Sequence, residues 1–353
     1  MKPTPEVITI KQIAEMAGVS VGTVDRVLHN RGKVSEINLK KINEILNKFD
    51  YQPNIIASTL ASKKRYQLAA VTPFFQKGEY WESVMNGINA AIGEIQQFGI
   101  SIEILFFDQY DNGSIKTIEK KISDNEYDGV LLAVLFKNEF TKLSSELTNR
   151  NIPYVFMDFN LTDQKPISFY GTDSISGGKL SARMLLSEIN ITDNILIVLM
   201  NMKNGLRSNQ SLNREKGFLE YLELKKYGGT IHQIHLEYKD KKKNNRILKN
   251  FFSRNSVKGV IFFNSSCYIV AHYFEDNNLS DIVLVGYDGV PENIRMMKAG
   301  FIDILITQRP YYQGYESAKS LCNYLLKKTS FQTENYIPLD ILVRENVEFY
   351  NQQ

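Results

Sequence analysis

The chain has 353 residues, 43 % of them hydrophobic and 23 % charged, with a formal net charge of +3. That composition fits two or three globular folding units and excludes a disordered, collagen-like or low-complexity chain. The charge is uneven: residues 1–66 carry eleven Lys/Arg against six Asp/Glu, and the remainder carries 31 against 33, so the positive excess sits in the head. A basic head on a near-neutral body is either the footprint of a nucleic-acid-binding module or a solvated basic tail.

In chain order, the first sixty residues read as helices only. Ile10, Ile13, Ala14 and Ala17 make one helical face, with Thr9 as N-cap and Gly18 as stop. Ser20 caps a second short helix that turns Val24, Val27 and Leu28 inward. After the break at Asn30-Arg31-Gly32, Ser35 caps a third, with Leu39, Ile42, Ile45, Leu46 and Phe49 on one face. Pro53 ends that unit, and a further short helix is predicted over 54–62. From Leu68 the texture changes to short apolar runs alternating with amphipathic helices. Strands are predicted at 68–72, 102–107, 129–135, 154–158, 195–200, 231–236, 259–263, 282–286 and 304–307. Helices lie between them at 80–98, 115–125, 139–149, 175–188, 213–224, 244–252, 268–275 and 313–327. Alternation of this kind means parallel sheets with helices on both faces. Nine strands make one very long sheet or two shorter ones, and two lobes are preferred because ligand sites form between domains.

Ala14, Gly18 and Val24 have the spacing of a helix-turn-helix. A small residue is needed where the second helix crosses the first, and glycine supplies the positive φ of the tight turn. The wider run, TIKQIAEMAGVSVGTVDRVL followed by VSEINLKKINEILNKFDYQPNIIASTLA, resembles the LacI/GalR family of repressors across the whole head. The resemblance implies a head over 1–52, a hinge helix and linker over 53–66, and a ligand-binding core over 67–353. It also implies that residues 21–29 form a recognition helix in the major groove, with Val21, Gly22 and Arg26 towards base edges, arginine being the commonest reader of guanine. Thr9, Ser20, Thr23, Lys33, Tyr51 and Asn54 would contact phosphates. Leu60 would wedge into the minor groove from the hinge helix, or simply pack there. Two departures bear on the operator. Asp25 stands where relatives often carry a small neutral residue; an acid there repels phosphate unless it pairs with Arg26 or accepts from a cytosine amino group. Gly22 offers no side chain at a position that commonly reads a base.

The body resembles the periplasmic-binding-protein-like core of the same family, in two lobes: about 67–170 with 308–330, and about 171–307 with 331–353. The expected fold is therefore a small all-α helix-turn-helix head plus an α/β core with parallel sheets. Asp288 in LVGYDG, Asn264 after GVIFF, Gln308 after ILIT and Asp158 after YVFM all stand at carboxyl ends of predicted strands, where open α/β sheets bind ligands. Arg214, three residues before Gly217, matches a ligand-contacting arginine of the family. These donors and acceptors suit hydroxyl groups, and an aromatic among Phe74, Phe75 and Trp81, in or after the first strand-to-helix loop, could stack on a sugar face. Asp173 reads as a helix N-terminal residue near the cleft. The implied partners are a roughly palindromic double-stranded operator, a second copy of the chain and a sugar-type effector.

Several apparent motifs carry no chemistry. Residues 18–22 match G-x-S-x-G, but a helix precedes them where a nucleophile elbow needs a strand. Gly177-Gly178-Lys179 is not a phosphate loop. His232 and His235 fall on opposite faces of a strand. Cys267 and Cys322 lie in apolar surroundings without metal spacing, so neither metal nor cofactor is expected, and a reducing cytoplasmic compartment fits. No secretory signal opens the chain, no apolar run reaches a membrane span, and the tail 345–353 has no leucine heptad. The alternatives are a solute-binding sensor without a DNA role and a sugar-active enzyme.

Overall fold

The computed structural model describes residues 8–28, 32–49, 51, 64–201, 207–327 and 332–350. The chain divides into two compact units, Met1–Lys63 and Lys64–Gln353.

The first unit contains α1 (Ile10–Ala17), α2 (Val21–Leu28) and α3 (Glu36–Lys48). Thr9 and Gln12 close a capping box on α1: Gln12 N donates to Thr9 Oγ1 at 3.3 Å and Thr9 N to Gln12 Oε1 at 2.8 Å. Gly18 ends the helix at φ 67°, in the left-handed region that a β-carbon disfavours. Ile8, Ile13, Ala14, Ala17, Val24 and Ile42 form the buried core. Ser35 occupies the N-cap position of α3 but makes no side-chain cap bond. Leu39 is exposed rather than part of the core face. The stretch predicted as hinge helix, with Asn54 and Leu60, lies outside the described residues.

The second unit opens with β1 (Tyr66–Pro73), so Tyr66 belongs to a strand rather than to the linker. There follow α4 (Tyr80–Ile95), β2 (Ile100–Phe107), α5 (Ile115–Asp124), β3 (Gly129–Ala133), α6 (Lys137–Asn149), β4 (Tyr154–Asp158) and β5 (Ser168–Gly171). Next come α7 (Ser174–Glu188), β6 (Ile195–Asn201), α8 (Asn209–Leu224), β7 (Ile231–Glu237), α9 (Lys241–Phe252), β8 (Gly259–Phe262), α10 (Tyr268–Asn277) and β9 (Val283–Tyr287). The chain continues through α11 (Pro291–Lys298), β10 (Ile304–Thr307), α12 (Pro310–Lys327), β11 (Glu334–Tyr336) and β12 (Asp340–Leu342).

The strands form two six-stranded sheets, ordered β11-β5-β4-β3-β1-β2 and β12-β10-β9-β8-β6-β7. All pairings are parallel except that of β10 with β12. Both faces of the second sheet are covered. Leu196, Val198 and Met200 of β6 enter one apolar cluster, and Ile195, Ile197 and Leu199 the other. That is why β6 is a continuous hydrophobic run and not an alternating one.

The chain passes between the sheets three times: after β5, after β10 and after β11. This corrects the expected second lobe of 331–353, because β11 pairs with β5 in the first sheet. The second sheet is joined only from β12 onward. The four-residue β8 and β10 are legible as fully buried apolar runs, whereas β5, β11 and β12 carry no such run and are missing from the sequence-based prediction.

Candidate functional site

In the head, α2 turns Val24 into the core and leaves a face to solvent. Val21 is 48 % exposed, and Gly22 and Arg26 are exposed beside it. Ser20 and Thr23 are engaged with each other: Thr23 N donates to Ser20 Oγ at 3.2 Å, and the two hydroxyls lie 3.0 Å apart. Thr9 is the α1 cap and Lys33 is exposed, while Tyr51 packs half-buried against the head core. At Gly22 the nearest atom to an added β-carbon is Ser20 Oγ at 3.8 Å. Neither packing nor backbone geometry demands glycine there.

In the body, a cavity of about 430 Å³ lies between the carboxyl ends of the two sheets. Trp81, Asp158, Arg214, Asn264, Asp288 and Gln308 all line it. Phe75 does not: its ring packs edge-on against Phe106, 6.0 Å away, and joins the first core. The β1–α4 loop therefore sends Trp81, on the first turn of α4, into the cavity in its place.

Arg214 is the centre of the cluster. Its Nη1 donates to the Phe263 carbonyl at 2.9 Å and its Nη2 to Gln210 Oε1 at 2.5 Å. The guanidinium lies 4.1 Å over the Tyr287 ring. Gln210 in turn donates from Nε2 to the Asp158 carbonyl at 2.9 Å, tying the first sheet to α8 of the second. Asp158 Oδ1 accepts from the Tyr80 hydroxyl at 3.2 Å, and Asp288 Oδ1 accepts from Gln308 Nε2 at 3.0 Å. Gln308 Oε1 accepts from Thr172 Oγ1 at 3.2 Å, so two of the three inter-sheet crossings meet behind the cavity.

Both aspartates sit in left-handed backbone, φ 72° at Asp158 and 65° at Asp288. A non-glycine residue held there stores strain of order 1–3 kcal/mol, commonest where function needs a side chain re-aimed. Asn293 of α11 holds the second of them. Its Nδ2 donates to the carbonyls of Tyr287, Asp288 and Ser265 at 2.9–3.0 Å, and its Oδ1 accepts from Tyr268 N at 3.0 Å. Burial pushes both carboxyls up to about 6, with Arg214 opposing the rise. Burial, together with the Asp158 charge, holds the Tyr80 hydroxyl well above its ordinary range. The cavity thus offers two buried carboxyls, the amides of Gln210, Asn264 and Gln308, and one guanidinium, a set suited to hydroxyls that both donate and accept.

Gln210, Tyr80 and Asn293 escaped sequence reading. Helix α8 begins at Asn209, a turn earlier than predicted, capped by the Ser208 hydroxyl. Ser208 followed by an i, i+4 pair of Gln210 and Arg214 was the available signal. Asp173 caps α7, accepting from the amides of Ile175 and Ser176. Among the described residues no group of three or more His, Cys, Asp or Glu could hold a metal, and no helix is long and apolar enough to cross a membrane.

A periplasmic binding protein domain matches residues 69–329, and the lacI family of bacterial regulatory proteins matches residues 9–54. The chain belongs to the LacI family. A Bacteroides fragilis structure assigned to the LacI transcriptional regulators is 32 % identical, with a TM-score of 0.77, covering 82 % of this chain and 100 % of its own. The ribose operon repressor of Lactococcus lactis is 25 % identical over 96 % of this chain and 98 % of its own length. The Bacillus subtilis regulator DegA is 27 % identical over 51 % of this chain and 52 % of its own length. The chain spans about half the length of DegA and several other curated relatives that it matches.

Proposed function

We propose that this LacI-family chain is a DNA-binding transcription repressor controlled by a small carbohydrate bound at Trp81, Asp158, Arg214, Asn264, Asp288 and Gln308. The carrying observation is the union, in one chain, of a lacI-type head with a body whose cavity is walled by buried acids, amides and a guanidinium. Relatives named for a ribose operon support the carbohydrate reading. Two heads of a homodimer read the half-sites of a roughly palindromic operator in the cytoplasm. Val21, Gly22 and Arg26 face bases, and Thr9, Ser20, Thr23, Lys33, Tyr51 and Asn54 face phosphates, with Leu60 in the minor groove. Effector occupancy reaches the operator through the 53–65 segment. The carboxyls bind and do not catalyse, so incubation with sugars yields no product; turnover of any sugar would replace the sensor by an enzyme.

Operator binding measured across salt tests the head. Each phosphate contact contributes about −0.9 to the slope of log affinity against log salt. Arg26→Ala weakens the true operator by about 1–3 kcal/mol and other sequences little. A flat salt dependence would sink the DNA role, and an equal loss on all sequences would demote Arg26 to a phosphate contact.

A further inference from the structure

Tyr110 and Tyr238 line the cavity from opposite sheets. Tyr110 stands in the turn after β2 and Tyr238 in the turn after β7. Their rings stack at a centroid distance of 3.4 Å and an interplanar angle of 19°. The Tyr238 hydroxyl also donates to Glu79 Oε1, just ahead of α4, at 3.1 Å. Strands β2 and β7 are the sheet edges farthest from the three crossings. A contact placed there has the longest lever against rotation of one sheet about those crossings. Each half of it is held by its own lobe. Tyr110 N donates to Asp108 Oδ1 at 2.9 Å and Asp108 N to Ser114 Oγ at 3.0 Å, which fixes the first turn. Glu79 Oε2 accepts from Gln76 N at 2.9 Å, leaving Oε1 for Tyr238. On the other side, the buried Asn244 side chain bonds both the amide and the carbonyl of Glu237 at 2.8 Å, and the Lys239 ammonium lies 4.8 Å from the centre of the Tyr238 ring. With both turns already ordered, little conformational entropy opposes the stack.

We infer that Tyr110, Tyr238 and Glu79 form a latch between the lobes, built from the chain's own side chains, that sets how fast effector is exchanged and not how tightly it is held. A contact that stabilises the closed lobes alike with and without ligand has no differential interaction with the two, so it leaves affinity alone. It does raise the barrier to parting the lobes, and ligand enters and leaves only when they part. This kinetic consequence rests on the carbohydrate reading above; the latch itself does not.

Amide exchange of the full chain without sugar tests the latch. Tyr110→Ala speeds exchange at 237–240, on the opposite lobe, about threefold or more, and Tyr238→Ala does so at 108–112, while β3 and β8 keep their rates. Acceleration confined to the substituted lobe would overturn the latch, and so would no acceleration on either. Stopped-flow fluorescence of Trp81, the single tryptophan and part of the cavity wall, then follows D-ribose, D-xylose, D-glucose and D-galactose. In both alanine variants the association and dissociation rates rise together by about three- to tenfold, and Kd stays within about twofold. Tyr238→Phe keeps the stack, loses the Glu79 bond and gives a smaller rise of the same kind. Faster dissociation alone, with Kd weakened by the same factor, would make the rings ligand contacts and end the proposal; unchanged rates would end it too. Failure of all four sugars to bind would overturn the carbohydrate reading, and the exchange result then decides the latch by itself.

Discussion

Asp158 and Asp288 each close a parallel strand with a left-handed residue, and each carboxyl is buried and pushed up to about 6. Because the folded value lies above the ordinary 3.8, the folded chain holds protons that the unfolded chain has already released. Their contribution to stability is therefore greatest below about pH 4 and declines as pH rises through about 6. A sugar hydroxyl donating to either carboxyl favours the charged form, so binding expels protons. Saccharide affinity is expected to rise between pH 5 and 7 and flatten above, and titrations in buffers of different ionisation heat should detect proton release. A flat profile across that range would mean that the carboxyls do not meet the ligand. Gly22 and Gly93 show a different residue-scale feature: nothing lies closer than 3.8 Å to a β-carbon added at Gly22, and nothing within 4 Å at Gly93. Replacing either by alanine should stabilise its helix by roughly 0.5–1 kcal/mol, read as a rise in denaturation midpoint, because only the entropy of the unfolded chain is altered.

At the scale of elements, two helix pairs depend on glycine for the opposite reason. A β-carbon on Gly178 of α7 would run into the Arg214 carbonyl of α8, and one on Gly217 into the Ile175 carbonyl. Gly87 of α4 and Gly314 of α12 meet backbone in the same way in the first sheet's layer. These contacts set how close α8 lies and hence how far Arg214 reaches. Gly178→Ala should destabilise the body by about 1–3 kcal/mol through overpacking and weaken saccharide binding about tenfold or more as Arg214 is displaced. A variant that lost stability but bound normally would show that α7–α8 spacing does not position the guanidinium. The Gly217–Arg214 spacing was visible in sequence. The reason for the glycine was not, since its contact lies on a helix some forty residues earlier.

At the scale of the whole molecule, the cavity exists because two separately cored sheets face each other, joined by three crossings. Gln210 and Gln308 fasten that junction from opposite sides, and Arg309 pairs bidentately with Asp340 across two of the crossings, at 2.7 and 2.8 Å. Ligand held by both walls should slow amide exchange in 76–81 and in 264–268 together. Protection confined to one of those segments would place the sugar on a single wall. The pairing of lobes was legible from alternating apolar runs. Residues 331–353 were assigned wholly to the second lobe, because three-residue strands such as β11 are selected by their neighbours rather than by their own pattern.

Local rules were enough for the helix-turn-helix, the parallel strands and four of the polar side chains at strand ends, because capping, positive-φ glycine and hydrophobic period act over a few residues. They could not say that Phe75 would turn from the cavity to Phe106, that Gln210 would couple Asp158 to Arg214, or that Phe74 and Phe106 would stay uncovered. Those outcomes depend on competition for space and hydrogen-bond partners between segments far apart in the chain, which exists only once the sheets have met.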